Sequence, residues 1–265
     1  MKKGIDVSCW NTDIDFNELK KTGVEFVIIR AGYGQEKYQK DSMFEKHYAN
    51  AKKSGLKIGA YWYSYATTFD NAKKEALVCL ECVSGKQFDL PIYYDVEDKV
   101  HSQLTANKLQ DLIDTFATCI SNSGYRCGVY SYVTLLEKIG VDFLNKYHVW
   151  VAQYNTICQY SGKYDIWQYT NKYLGKNLDG NICYNANIFE EKTKPITPAE
   201  LYLAFEVLAG KYGNGNERKN NLKDKYEKTQ KIVNILYEGK DIFKAANKLI
   251  NEGVWNYDFG QRKFL

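Results

Sequence analysis

Along the first 190 positions, short runs of β-branched and aromatic residues alternate with stretches in which apolar residues return every three or four places. The runs are GIDVSCW from residue 4, FVIIRAGY from 26, KIGAYWYSYA from 57, LPIYYDVE from 90, CGVYSYV from 127, VWVAQY from 149, YDIWQYT from 164 and NICYNANIF from 181. They predict eight strands. Asp41 to Ser54 and Thr105 to Ser123 read as helices, and Gly23, Gly55, Gly85 and Gly124 stand where a left-handed residue closes a helix. Strand, helix, strand order implies parallel pairing among the first five strands. The octapeptide from Ser54 to Tyr61 recurs from Ser123 to Tyr130 as S-G-x-(K/R)-x-G-x-Y, which marks a repeated helix-end-to-strand unit.

The last two strand starts follow their predecessors by only 15 and 17 residues, too few for a full crossover helix and a strand. The expected fold is therefore α/β, an irregular TIM-barrel-like (β/α) barrel of about eight strands and five helices. Its site should lie at the C-terminal ends of the strands. Two of the three prolines fall in a charged run over residues 191–198, a linker between a barrel over 1–190 and a second domain over 199–265. Thr197, Pro198 and Glu200 form a helix start, and Leu201, Ala204, Phe205 and Leu208 follow at helical spacing. Two or three more amphipathic helices, ending near Gly239 and Gly253, complete a small all-α domain.

Composition narrows the function. At 265 residues and 45% hydrophobic content the chain can bury a full-size core and a small second one. No stretch nears the roughly 18 apolar residues of a membrane span, so no membrane insertion is expected. The start from Met1 to Asp6 carries two lysines without an apolar segment behind them, which predicts no signal peptide. Seven cysteines, an odd number without a framework, suit reduced thiols and synthesis in a reducing cytoplasm. Cys79 and Cys82 form a C-x-x-C that no second pair completes into a zinc set. A net charge of +4 without interleaved basic and aromatic tracts argues against nucleic acid. The informative excess is 23 tyrosines, whose faces suit sugar rings as well as cores.

Candidate chemistry centres on Asp95-Val96-Glu97 at the end of the fourth strand. Two residues apart on a strand, both carboxyls project to one side, toward the barrel mouth. Cleavage of an acetal needs an acid that stays protonated near neutral pH and a second carboxylate for the cationic transition state. Mutual repulsion would raise one pKa and leave the other group ionised. Asp6 and Asp179 stand at other strand ends, so four carboxylates should ring one mouth. Tyr33, Tyr61, Tyr63, Tyr130, Trp150 and Trp167 accompany them. Only His47, His101 and His148 are available for a nucleophile triad, and the short runs Gly32-Tyr33-Gly34 and Gly213-Asn214-Gly215 cannot cradle a phosphate. The oxygen ring would also suit magnesium or calcium, but no metal and no cofactor is expected.

On these residues the chain resembles the glycoside hydrolase family 25 lysozymes over residues 3 to about 189. The carriers are Gly4-Ile5-Asp6-Val7-Ser8 with Trp10, Gly59-Ala60-Tyr61, Asp95-Val96-Glu97, Val129-Tyr130, Trp150-Val151-Ala152 with Tyr154, Trp167-Gln168-Tyr169 and Asp179-Gly180-Asn181. The resemblance implies hydrolysis of the β-1,4 bond between N-acetylmuramic acid and N-acetylglucosamine, with Glu97 as acid and then base. It also implies that Asp95 supports attack by the sugar's own 2-acetamido group, while Asp6 and Asp179 orient and tune. Tyr33, Tyr61, Tyr63, Tyr130, Trp150 and Gln168 are the expected substrate-binding residues. Many members carry Lys-Ala-Ser/Thr-Glu-Gly on the second strand, where this chain has Arg30-Ala31-Gly32-Tyr33-Gly34, so Tyr33 stands where a carboxylate is common.

Residues 199 to 237 resemble the helical wall-binding repeats of certain phage lysins, through Glu206 to Gly215, Glu217-Arg218-Lys219 and Leu222. A truncated echo at Ala246, Leu249-Ile250, Gly253, Trp255 and Arg262-Lys263 points to pairing with another chain, a homo-oligomer. Together these features lead to a phage or prophage endolysin, made in the host cytoplasm and acting on the peptidoglycan glycan strand after release. Its second domain would hold a wall ligand. A host autolysin or spore-related lysozyme is the alternative, and a catalytically silent wall-binding lectin is a third.

Overall fold

In the computed structural model, the two-residue period of the strands sorts side chains into two apolar layers, one inside a barrel and one between barrel and helices. The structure describes residues 1–190, 198–208, 210–238, 257–258 and 263–264. The chain divides into two compact units, Met1–Pro195 and Ile196–Leu265.

In the first unit eight strands close a barrel in sequence order. They are β1 (Lys2–Val7), β2 (Val24–Tyr33), β3 (Lys57–Tyr63), β4 (Ile92–Asp95), β5 (Cys127–Tyr132), β6 (His148–Ala152), β7 (Ile166–Thr170) and β8 (Asp179–Cys183). Strands β1 to β7 pair in parallel, whereas β8 runs antiparallel to both β7 and β1. The outer layer holds α1 (Phe16–Lys21), α2 (Phe44–Lys53), α3 (Phe69–Val83), α4 (Ala106–Asn122), α5 (Val133–Ile139) and the single turn α6 (Val141–Leu144). Only a 3₁₀ turn, Tyr173–Gly175, separates β7 from β8, so the chain doubles back instead of crossing over.

Local chemistry sets the helix starts. Asp15, Thr68 and Thr105 cap α1, α3 and α4 by accepting backbone N–H groups of the first turn. Inward residues Phe26, Ile28, Tyr93 and Trp150 fill the barrel, while their neighbours Val27, Ile29, Tyr94 and Val149 meet the helices. Tyr94 lies flat on Phe116 of α4, with ring centres 4.0 Å apart.

The repeated octapeptide is one helix-end-to-strand unit used twice. Gly55 and Gly124 end α2 and α4 at positive φ, +67° and +85°. Gly59 then sits against Leu90 and the Pro91 carbonyl and Gly128 against the Tyr93 ring, and Tyr61 and Tyr130 two residues on belong to the same interior layer.

The second unit comprises α7 (Pro198–Leu208), α8 (Gly215–Leu222) and α9 (Tyr226–Glu238), around Ala204, Val207, Leu222, Ile232 and Val233. A two-residue antiparallel pair joins Tyr257–Asp258 to Lys263–Phe264. Thr197 and nearly all of the segment expected to echo the repeat, from Ala246 to Arg262, lie outside the described residues. No helix among the described residues is long and apolar enough to cross a membrane.

A methyl group at Gly128 would lie 2.5 Å from a Tyr93 ring carbon and 2.8 Å from the His148 carbonyl oxygen, a barrel-wall atom that cannot swing aside. Gly128→Ala should therefore cost about 2 kcal/mol of stability in a urea titration. An unchanged midpoint would mean that the barrel interior has slack.

Candidate active site

Parity and strand direction together deliver the acids to one mouth. Asp6 ends the inward row of β1, and Asp95 and Glu97 continue that of β4 beyond Tyr93. Asp179 opens β8. Because β8 is antiparallel, its start lies beside the end of β1, and Asp179 pairs in register with Asp6. In an all-parallel barrel it would have been at the far end.

The acids differ in burial and partners. Asp6 is 5% exposed, and its Oδ2 accepts from Asn181 Nδ2 at 2.7 Å and Gln168 Nε2 at 2.9 Å. Burial and the Asp179 charge push its pKa up to about 8 against those two donors, with a smaller contribution from Glu97. Asp95 is 2% exposed and its Oδ1 has no hydrogen-bond partner. Burial, then Glu97 and Asp6, hold it well above the usual carboxylate range, and the Arg30 guanidinium partly opposes them. Burial also raises Asp179, which hydrogen-bonds Tyr154.

Glu97 is only half-buried, beside a cavity of about 290 Å³ lined by Tyr130, Tyr132, Ala152, Gln153 and Tyr154. Burial pushes its carboxyl up to about 7, against a lowering hydrogen-bond contact with Tyr130 and with smaller upward contributions from the charges of Asp179 and Asp98. A group half-protonated near neutrality and open to a cavity can give a proton and take it back.

Opposite this cavity, Tyr33, Tyr63 and Tyr65 form a second aromatic wall, with ring centres 6.3 Å (Tyr33 to Tyr65) and 5.2 Å (Tyr63 to Tyr65) apart. Arg30 lies over Tyr33 at 5.7 Å and donates to Asp41 at 2.7 Å. Tyr63 donates to Asp98 at 3.2 Å. Buried Glu75 fixes the loop behind this wall. It accepts from the Tyr65 N–H at 2.8 Å and the Tyr94 hydroxyl at 2.7 Å, and burial raises its pKa to about 6.

Of the residues expected from sequence, Asp6, Asp95, Glu97, Asp179, Tyr33, Tyr61, Tyr63 and Tyr130 gather at or just inside the mouth. Trp150 and Gln168, 1% and 3% exposed, lie beneath it and reach it only through other side chains. Trp167 faces the outer layer, where its indole donates to the Gln153 carbonyl. Sequence reasoning missed Asn181, Tyr65, Asp98, Tyr132 and Glu75. Asn181 was within reach, since it shares the inward parity of Asp179. Among the described residues no group of three or more His, Cys, Asp or Glu could hold a metal ion.

The sequence profile of the glycosyl hydrolases family 25 matches residues 5–178. The chain belongs to this family. A CW_7 repeat profile matches residues 202–236. The autolytic lysozyme of Clostridium acetobutylicum is 30% identical over 152 residues, 57% of this chain and 45% of that protein, so the match spans less than half of that relative. A family 25 glycosyl hydrolase from Bacillus anthracis superposes with a TM-score of 0.63 at 26% identity, covering 72% of this chain and 92% of that one. The CTP1L endolysin shares the fold at 20% identity, with a TM-score of 0.59 over 90% of this chain and 100% of that one. The family 25 match spans every acid described above except Asp179, which lies one residue beyond it.

Glu97 makes the site costly to the fold at high pH. Its folded pKa lies above the ordinary 4.5, so its stability contribution is fully present below about pH 4.5 and lost as pH rises through about 7. Glu97→Gln should accordingly raise the melting temperature at pH 8 by a few degrees and leave it unchanged near pH 4.5, measured by calorimetry. Parallel pH dependence in both proteins would contradict the burial argument.

Proposed function

We propose that this chain is a muramidase that hydrolyses the β-1,4 bond between N-acetylmuramic acid and N-acetylglucosamine in peptidoglycan. The observation that carries the reading is Glu97, raised to about 7 and facing an open cavity, with Asp95 buried one inward position deeper. Glu97 gives its proton to the leaving oxygen as the C–O bond breaks. It then takes a proton from the water that attacks the sugar. Asp95, whose Oδ1 lacks a partner, accepts the N–H of the substrate's 2-acetamido group and orients that group's oxygen toward the anomeric carbon. Asp6 and Asp179 orient groups and tune the charge around the cation that forms, and the tyrosines on either side of Glu97 stack on sugars.

The second unit is, in this reading, a wall-binding module. Supporting it are the CW_7 match and a groove of about 480 Å³ floored by Val207, Leu208 and Val233. Arg218 is braced at that groove by Gln230 Oε1 at 3.0 Å and Asn214 Oδ1 at 2.9 Å. A phage or prophage endolysin made in a reducing cytoplasm fits seven cysteines that are all unpaired. A host autolysin is the second reading, favoured by the similarity to an autolytic lysozyme. Flanking genes of phage structure and lysis would decide between the two.

Digestion of purified peptidoglycan tests the enzyme. Wild type should release new reducing N-acetylmuramic acid ends, seen by mass spectrometry after reduction, and Glu97→Gln should be slower by about 10² to 10⁴. Reducing N-acetylglucosamine or new peptide ends would contradict the assignment. The inert Glu97→Gln chain should still sediment with walls.

A further inference from the structure

Beneath the mouth, five buried side chains form a run of hydrogen bonds whose direction is fixed at one end. The indole N–H of Trp150 can only donate. It donates to Asn181 Oδ1 at 2.8 Å, which turns the Asn181 nitrogen toward Asp6 Oδ2 at 2.7 Å. The same Asp6 oxygen lies 2.9 Å from Gln168 Nε2 and takes that N–H in its other lone pair. Gln168 Oε1 is then left to accept from the Tyr130 hydroxyl, at 3.0 Å. None of the five is more than 6% exposed, so water hardly competes for these bonds. Because Asp6 Oδ2 receives two donors, any proton on Asp6 belongs on Oδ1.

A phenol has one proton. Once it is committed to Gln168, Tyr130 offers its other neighbour, Glu97, only a lone pair. We propose that Trp150, Asn181 and Gln168 are positioning residues that, through Tyr130, keep the proton on Glu97, because this tyrosine accepts from the acid and cannot donate to the carboxylate. The proposal rests on Glu97 being the acid and adds how its proton is retained. With its hydroxyl donating to Glu97, the Tyr130 contact lowers the acid's pKa. The geometry instead directs that hydroxyl to Gln168 Oε1, so Glu97 holds its proton more firmly than it would beside a donating phenol. After Glu97 passes its proton to the leaving oxygen, its carboxylate again meets a lone pair, which favours recovery of a proton from the attacking water.

Other groups act on Glu97 whichever way Tyr130 points. Carboxyls face it from β1 (Asp6), from its own strand end (Asp95 and Asp98) and from β8 (Asp179). Phenols face it from β3 (Tyr63) and from beyond β6 (Tyr154). The reversed run is a definite alternative: Asp6 protonated on Oδ2 would donate to Gln168, Gln168 to Tyr130, and Tyr130 to the Glu97 carboxylate. That sense would ask a single Asp6 hydroxyl oxygen to donate to Gln168 while accepting from Asn181.

The test is a ¹³C NMR titration of the Glu97 side-chain carboxyl in the full chain. Gln168→Met frees the Tyr130 proton for Glu97, whose titration should move down by about one unit. The substitution also removes a donor from Asp6, so it is repeated in a Tyr130→Phe background. There it should leave the titration nearly where Tyr130→Phe alone puts it. An unchanged or raised titration in Gln168→Met, or a full downward shift that persists without the hydroxyl, would overturn the proposal. Should Gln168→Met fail to fold, neutron diffraction from the deuterated wild type reads the same direction. Deuterium on the Tyr130 oxygen facing Gln168 supports the run, and a Gln168 N–D facing Tyr130 refutes it. None of these readouts needs turnover. A Glu97→Gln variant that still cleaves glycan would sink the muramidase reading while leaving the direction of the run intact.

Discussion

Four carboxyl groups share one barrel mouth, and at least two of them, Asp6 and Asp95, are almost wholly removed from water. Charged together, they would repel one another where solvent cannot screen them, so the fold has to keep protons on some of them. Much of the surrounding architecture answers that constraint. Asn181 and Gln168 give Asp6 two donors, Arg30 offsets Asp95, and Glu97 is half-buried beside a cavity, where its proton can be exchanged. The same crowding that strains the fold produces an acid with a pKa near neutrality, which is the group an acetal-cleaving site needs.

The barrel's one irregularity serves the site directly. Reversal of β8 removes a crossover helix and carries Asp179 and Asn181 to the mouth from the start of a strand. Asp179 adds charge near Glu97 and Asp6, and Asn181 ties Asp6 to Trp150. A helix between β7 and β8 would restore regularity and send both residues to the opposite end. Behind the tyrosine wall, Glu75 ties the loop after β3, at the Tyr65 N–H, to the Tyr94 hydroxyl on β4, so the mouth is braced from outside the barrel as well as from beneath.

Much of this was legible in the residues. Runs such as FVIIRAGY and LPIYYDVE declare strands because β-branched and aromatic residues fit a pleated wall, and the two-residue spacing of Asp95 and Glu97 fixes a common face. The 17-residue gap before the last strand signalled a missing helix. It did not signal that the strand turns round, since direction depends on how the chain closes. Depth was not legible either. Parity sends Trp150 and Gln168 inward, but only the assembled barrel shows that Tyr130 and Asp6 cover them. Glu75 on an amphipathic helix reads as a solvated residue, and its burial follows from long-range packing against Tyr94 and the loop at Tyr65.

The central claim is that burial and crowding keep Glu97 protonated near neutrality so that it can act as the acid. The pH dependence of kcat/KM for wild type on solubilised peptidoglycan tests it most directly, because this parameter reports the free enzyme. The account predicts a basic limb centred near 7, with the rate falling about tenfold per pH unit above it. A rate that stays level or climbs from pH 7 to 9 would contradict it.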